Sequence, residues 1–372
     1  MEAMIVVEQL RRPIPGGIGT HIRGLLKGLG ECLCSEDAGE QAARSLGGPE
    51  SPLKVSLLAS RPSRDGEPLD DLGFPILTSR MPSRLLTRAW ELGVVRAPHG
   101  IDLLHATSLA FPATRGAPLV VSVHDLMWRT VPETFPSRGR RWHERALRRA
   151  LSQAAGFVVP SQETASSLVA AGAPLDAVEV VGEGGDHMPP PDLVGTARLL
   201  DVLGVDGEYV LSVGTLEPRK NLQRLFSAFG VARTKAAKNL SLVVVGPRGW
   251  GEMARPVPGV KLAGGVPAGI LSGLYSRALC LAYVPLAEGF GLPVLEAMRF
   301  GTPVIASPMP SVSEGVLRVN PLDVDEIAGE ILHIVLDPLL RSHLGDLARK
   351  SAAELTWAKV ALRHLQAWRR FC

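Results

Sequence analysis

The sequence predicts an α/β protein made of two doubly wound, parallel-sheet domains, and three observations predict it. The chain has 372 residues, a length that fits two domains better than one. Short runs rich in Val, Ile and Leu recur along it without strict alternation, as expected of strands buried on both faces. Stretches of helical pattern separate those runs, and strand–helix alternation of this kind builds parallel sheets covered by helices.

In chain order, strands are expected at Met4–Val7, Leu53–Ala59, Ile101–His105, Leu119–His124, Gly156–Pro160, Val178–Val181, Tyr209–Val213, Leu240–Val245, Leu279–Val284 and Pro303–Ala306. The stretch from Gly182 to Pro191 is dense in Gly and Pro and reads as a domain boundary. The domains are therefore expected at 1–190 and 191–355. Open α/β sheets bind ligands outside the carboxyl ends of their strands, so a cleft between two facing units is the expected site. Asp323 reads as a helix N-cap, with Glu326 completing a capping box and Leu322 and Ile327 forming a hydrophobic staple. The competing reading of Asp323-Val-Asp325 is an Asp-x-Asp metal motif.

Apolar residues make up 46% and charged residues 21%, which fits a globular protein with a sizeable core. Aromatics at 5% and a net charge of +3 argue against a nucleic-acid partner. Cys32 and Cys34 form one close pair with no matching pair elsewhere. They read, with Cys280 and Cys372, as thiols of a reducing compartment rather than zinc ligands. Met1 to Leu10 reads as a first strand and not as a signal peptide. No run reaches the roughly 18 apolar residues of a membrane helix. A cytoplasmic protein is expected, with peripheral contact at the inner face of the membrane left open.

Three segments stand where chemistry is expected. Pro15-Gly-Gly-Ile-Gly-Thr-His21 follows the first strand and opens a helix. It is either a plain turn or an anion site at a helix N-terminus. A dinucleotide fingerprint would need Gly where Ile22 stands, which disfavours a nicotinamide dehydrogenase. Val213 to Leu222 places Arg219 and Lys220 just before a helix, where a cation pair is unfavourable unless an anion sits beside it. A solvated basic turn is the bland alternative. Glu288-Gly-Phe-Gly-Leu-Pro-Val-Leu-Glu296 follows a strand, with Pro293 suited to a first helical turn. Amide groups at Phe290 to Leu292 would face a ligand there. Carboxylates so close to a phosphate site make sense as acceptors from sugar and ribose hydroxyls.

Together with Val121-Ser-Val-His-Asp-Leu126 and Leu355-Thr-Trp357, these blocks resemble glycosyltransferase family 4 over nearly the whole chain. The resemblance implies the GT-B fold, two Rossmann-like doubly wound domains facing across a cleft, with the final helix 356–372 packing back on the first. It implies a retaining, metal-independent hexosyltransferase of the mannose or glucose type. The donor would be a GDP- or UDP-linked nucleotide-sugar, and no cofactor or metal is expected. The acceptor would be a glycan, a lipid-linked molecule or a small molecule, in polysaccharide biosynthesis. Gly17 and Gly19 would lie at the donor phosphates or sugar, and Gly265 and Val266 at the nucleobase. Arg219 and Lys220 would neutralise the diphosphate. Glu288 and the amides of Phe290, Gly291 and Leu292 would hold the sugar, and Glu296 the ribose. His124 would lie at the reacting centre, although a lone His at a strand end is more often structural. The sequence departs from the family pattern at Thr215, at Glu183-Gly-Gly-Asp186 and in a shortened Pro308 to Gly315 segment. Other readings are an epimerase or phosphorylase of the same fold, or a non-catalytic nucleotide-sugar binder. Six arginines between Arg138 and Arg149 read as a solvated helix face, or as an attraction to anionic lipid.

Overall fold

A computed structural model describes residues 1–34, 53–62, 69–236, 239–252 and 254–372. The chain divides into two compact units. The first holds Met1–Leu126, Ser137–Gly184 and Thr356–Cys372, and the second holds Met127–Pro136 and Gly185–Leu355. The division thus falls ahead of the expected 190/191 boundary. The ten-residue excursion of the second unit into the first half of the sequence was not foreseen. It is tied down within its own unit, where Trp250 Nε1 donates to the Thr134 carbonyl at 2.8 Å and its ring lies 5.8 Å from that of Phe135, tilted by 40°.

The first unit carries β1 (Glu2–Val6), β2 (Lys54–Arg61), β3 (Ile76–Pro82), β4 (Leu103–Ala106), β5 (Leu119–Ser122), β6 (Gly156–Val159) and β7 (Val178–Val180). They form a parallel seven-stranded sheet of order β3-β2-β1-β4-β5-β6-β7. The second unit carries β8 (Tyr209–Val213), β9 (Ser241–Val245), β10 (Val260–Gly264), β11 (Cys280–Tyr283), β12 (Val304–Ala306) and β13 (Val316–Arg318). Its parallel six-stranded sheet runs β10-β9-β8-β11-β12-β13. All ten expected strands form. The three that were not expected, β3, β10 and β13, lie at sheet edges and are only partly buried.

Each face of the second sheet has its own core. Val210, Leu242, Val244 and Ala282 pack with the helices Leu222–Ala236 and Val324–Leu336. Leu211, Val243, Leu281 and Tyr283 pack with residues of the helices Ala268–Arg277, Leu292–Arg299 and Pro338–Ala353. Burial on both faces is what suppresses alternation in these strands. In the first unit, the helix Gly16–Cys34 packs against the final helix Trp357–Phe371. Glycines make that contact: a Cβ at Gly24 would overlap the Trp357 indole, and one at Gly28 the Trp357 carbonyl. Trp357 is fully buried as a result, and Trp368 on the same helix is fully buried too.

Asp323 caps its helix as expected, accepting from the amides of Asp325 and Glu326 at 3.0 Å. The rest of the expected motif does not form. Glu326 accepts from the Asn320 amide at 2.9 Å instead of closing a box on Asp323, and Leu322 is exposed, so it staples nothing. Cys32 and Cys280 are buried and Cys34 and Cys372 exposed. Among the described residues, no helix is long and apolar enough to cross a membrane.

Candidate active site

In the second unit the chain winds from β8 outward to β10, then returns to place β11 on the other side of β8. The loops leaving β8 and β11 therefore diverge, and this switch point is where an open α/β sheet leaves a crevice. Lys220 follows β8 and Glu288 follows β11, and they meet there: Nζ donates to Oε2 at 2.6 Å. Arg219 donates from Nη1 to the same oxygen at 3.0 Å and to the Ala287 carbonyl at 3.1 Å. Glu217, not foreseen from sequence, binds the other edge of that guanidinium at 2.8 Å. Burial raises the Glu217 carboxyl, against the pull of Arg219.

The turn that aims these cations is built locally. Pro218–Lys220 is a single 3-10 turn ending at Asn221, which takes a left-handed conformation with φ 59°. Asn tolerates that region better than most residues. Its side-chain amide donates to the carbonyls of Val284 and Pro321 at 3.0 and 2.7 Å, fastening the turn to the β11 side.

Tyr283, the last residue of β11, completes the cluster. Its hydroxyl accepts from Lys220 Nζ at 2.6 Å and donates to Glu288 Oε2 at 2.7 Å. The direction is fixed, because an ammonium can only donate. Burial by itself would push the Glu288 carboxyl up. The Lys220 and Arg219 charges and the bonds from Lys220 and Tyr283 outweigh it and hold the group well below the usual carboxylate range. All of these contacts use Oε2. Among the described residues Oε1 has no partner, which leaves one acceptor unused.

The glycine loop is equally determined. Gly291 has φ 101°, and a Cβ there would also crowd Met309 and Ser311. Ser311 donates its amide to Phe290 O at 3.0 Å and its hydroxyl to Gly291 O at 3.1 Å. The shortened Pro308 to Gly315 segment is therefore the buttress of this loop. The helix Leu292–Arg299 starts directly after it, and its first amides have no partner within the helix. Glu296 sits on that helix with both oxygens engaged, one by Tyr275 OH at 2.7 Å and one by His187 Nε2 at 3.1 Å. Gly265 and Val266 follow edge strand β10; the glycine is exposed and the valine packs on the core.

In the first unit, the switch point lies between β1 and β4. Gly17 and Gly19 are in the first turn of the helix Gly16–Cys34, not in a free loop. Gly17 is exposed, whereas Gly19 is buried and has no room for a Cβ beside Pro15. The spacing of His21 brings it to the buried side of that helix. Its Nδ1 lies 3.0 and 2.9 Å from the two oxygens of Glu183, which follows β7. His124, after β5, bonds the Thr107 carbonyl through Nε2 at 2.9 Å and places Nδ1 4.0 Å from Glu183 Oε1. Its ring meets that of His21 edge-on at 4.8 Å. Behind them His364 and His105 are fully buried. Burial lowers His364 to about 3 and holds His105 well below the ordinary histidine value. The sequence reading singled out His124 but assigned no role to His21 or Glu183, which are 162 positions apart.

Residues 15–187 match the Glycosyltransferase Family 4 domain and residues 202–351 the Glycosyl transferases group 1 domain. The chain is a GT-B glycosyltransferase that resembles family 4. This glycosyltransferase is 28% identical over 267 residues to O-antigen chain mannosyltransferase B of Escherichia coli, which covers 67% of this chain and 70% of the relative. It is 27% identical over 186 residues to the serotype-specific mannosyltransferase WbdA of Escherichia coli, and there it spans only 23% of the relative's length. Among solved structures, it is similar to Anabaena HepE in complex with UDP and glucose, at TM-score 0.70, 18% identity and 97% coverage of both chains.

Proposed function

We propose that this glycosyltransferase moves a hexose, of the mannose or glucose type, from a GDP- or UDP-linked donor to a glycan, lipid-linked or small-molecule acceptor. The transfer retains the anomeric configuration and uses no catalytic metal. The observation that carries this reading is the Lys220–Glu288–Arg219 cluster at the switch point of the second unit. Support for the sugar comes from the O-antigen relative being a mannosyltransferase, and for the donor from the UDP bound by HepE.

Cleavage of a sugar–phosphate bond leaves positive character on the sugar and added negative charge on the diphosphate. Lys220 keeps one N–H beyond those given to Tyr283 and Glu288, and in this reading that N–H meets the leaving phosphate. A preorganised contact aimed at developing charge is typically worth about 3–4 kcal/mol. Glu288 Oε1 takes a sugar hydroxyl. The ribose takes the second lone pair of a Glu296 oxygen, whose orientation His187 and Tyr275 fix. The acceptor attacks on the face the nucleotide leaves, and the diphosphate takes its proton.

The test is a thermal-shift screen with GDP, UDP and their sugars, followed by transfer assays with and without acceptor. A nucleotide at a hundred times its Kd should stabilise the protein by about 2.7 kcal/mol. Product with a retained anomeric configuration, undiminished in excess chelator, is expected. A protein stabilised by no nucleotide and forming no product sinks the assignment, and product without acceptor redirects it to an epimerase.

We also propose peripheral contact with an anionic membrane. In the helix Ser137–Gln153, Arg138, Arg141, Arg145 and Arg148 are exposed and recur at three- and four-residue steps, so they share one face. Arg149 does not belong to this stripe. It donates to the Phe111 carbonyl at 2.7 Å and lies over the Phe111 ring at 4.2 Å. Reversing Arg145 and Arg148 to Glu should cut binding to anionic liposomes at low salt; unchanged binding ends the idea.

A further inference from the structure

We propose that His21, His124 and Glu183 in the first unit form an inhibitory binding site for one divalent transition-metal ion, with zinc the best chemical match. One ligand atom from each residue lies within 4.8 Å of the others. Zinc bonds to imidazole nitrogen and carboxylate oxygen are about 2.0–2.2 Å long, so two ligands of one ion stand up to about 4 Å apart. His21 Nδ1 is 2.9 Å from Glu183 Oε2, and His124 Nδ1 is 4.0 Å from Oε1. His21 Nδ1, within hydrogen-bond reach of both carboxylate oxygens, carries the proton in the metal-free protein; an ion drawing the set in from 4.8 Å moves that proton to Nε2, which has no partner.

The surroundings orient it. His124 Nε2 lies 2.9 Å from the Thr107 carbonyl. A carbonyl can only accept, so the Nε2 tautomer carries the proton and Nδ1 presents its lone pair toward Glu183. Imidazoles that bind metals are held by such a backbone bond on the opposite nitrogen. The His21 ring is fixed between Trp357 and His364 at 5.7 and 5.6 Å. His21 and Glu183 are each 3% exposed, while His124 is 18% exposed and offers the way in. Two imidazoles and one carboxylate suit zinc or a neighbouring transition ion, and not magnesium or calcium, which take oxygen sets. A divalent ion also brings positive charge to a carboxylate that is costly to bury.

An ion here takes the lone pair of the imidazole that the resemblance places at the reacting centre, so occupancy blocks transfer. That consequence rests on the proposed function, whereas metal binding itself does not. Zinc chloride titrated calorimetrically into the full chain should bind with one tight equivalent. Glu183→Gln and His124→Asn should each weaken that equivalent at least about tenfold, one 1.36 kcal/mol step. X-ray absorption of the wild-type zinc complex should show two imidazoles and a carboxylate. This keeps the test decisive if either variant fails to fold. No tight binding, wild-type affinity in both variants, or sulfur in the zinc shell from exposed Cys34 or Cys372 overturns the site. Zinc should abolish transfer while the thermal shift by UDP or GDP persists; bound zinc with unimpaired transfer overturns the inhibitory assignment. If no donor supports transfer by the metal-free protein, the proposed function fails and the calorimetry still decides the site.

Discussion

The two halves of this glycosyltransferase share a winding scheme and differ in the chemistry at its centre. Both sheets reverse direction beside their first strand, between β1 and β4 in one and between β8 and β11 in the other. In the second unit the crevice holds full charges, two cations converging on one carboxylate oxygen. In the first unit the same topological position holds imidazoles that burial keeps neutral, around a single carboxylate. Topology therefore fixes where groups converge, and the side chains delivered there decide whether the centre is charged or neutral.

Breaking this contrast gives the largest effect at the charged centre. Lys220→Ala should lower kcat about 100- to 1000-fold, the loss typical when one preorganised contact to developing charge is removed, with the melting profile of the first unit unchanged. Steady-state kinetics with the cognate donor checks it, and near wild-type turnover contradicts the assignment.

The neutral centre should respond to acid instead. A histidine whose folded pKa is depressed favours the folded state only while uncharged, so its contribution is lost as pH falls below the unfolded value of about 6.5. For His364 the loss continues down to about 3. His364 alone should thus cost about 2 kcal/mol of stability between pH 6.5 and 5, and His21 and His105, shifted in the same direction, add to the fall. Hydrogen exchange should locate the loosening in the helices Gly16–Cys34 and Trp357–Phe371. Equal loosening of the second unit would erase the contrast.

A smaller and purely steric effect is expected from Gly24→Ala, which forces a methyl into the Trp357 indole. Overpacking of this kind costs about 1–3 kcal/mol, measurable by denaturant unfolding, while nucleotide binding to the second unit should survive. The smallest effect belongs to Tyr283→Phe. It removes one hydroxyl that bridges Lys220 and Glu288 but leaves their direct bond, so kcat should drop about tenfold, or 1.36 kcal/mol, with little change in the donor KM.

The sequence made the charged half more legible than the neutral one. Glu288 to Glu296 and Arg219-Lys220 lie in short contiguous motifs beside strands that read as buried, so composition and order together located them. His21 and Glu183 are brought together only by the sheet, and neither is unusual in its own segment. The signals present were the departure at Glu183-Gly-Gly-Asp186 and the histidine closing the first glycine motif. Tyr283 stood inside an apolar run and read as core, which it also is. Edge strands β3 and β13 escaped because a strand with one free side keeps residues such as Ser79, Arg80 and Arg318, and the continuous apolar signal fades. The staple at Leu322 failed for the opposite reason: the pattern was present, but nothing in the tertiary structure covers that side chain.

The glycine seat that receives Trp357 bears on the order in which the halves mature. Helix Gly16–Cys34 leaves the ribosome early, yet its cover is the segment Trp357–Phe371. The early half therefore waits, unfinished, through synthesis of the late one, so the half made last is the one that can close first. A released chain truncated before Trp357 should resist protease over Gly185–Leu355 and be cut within Gly16–Cys34; protection of both would show that the first half closes without its cover.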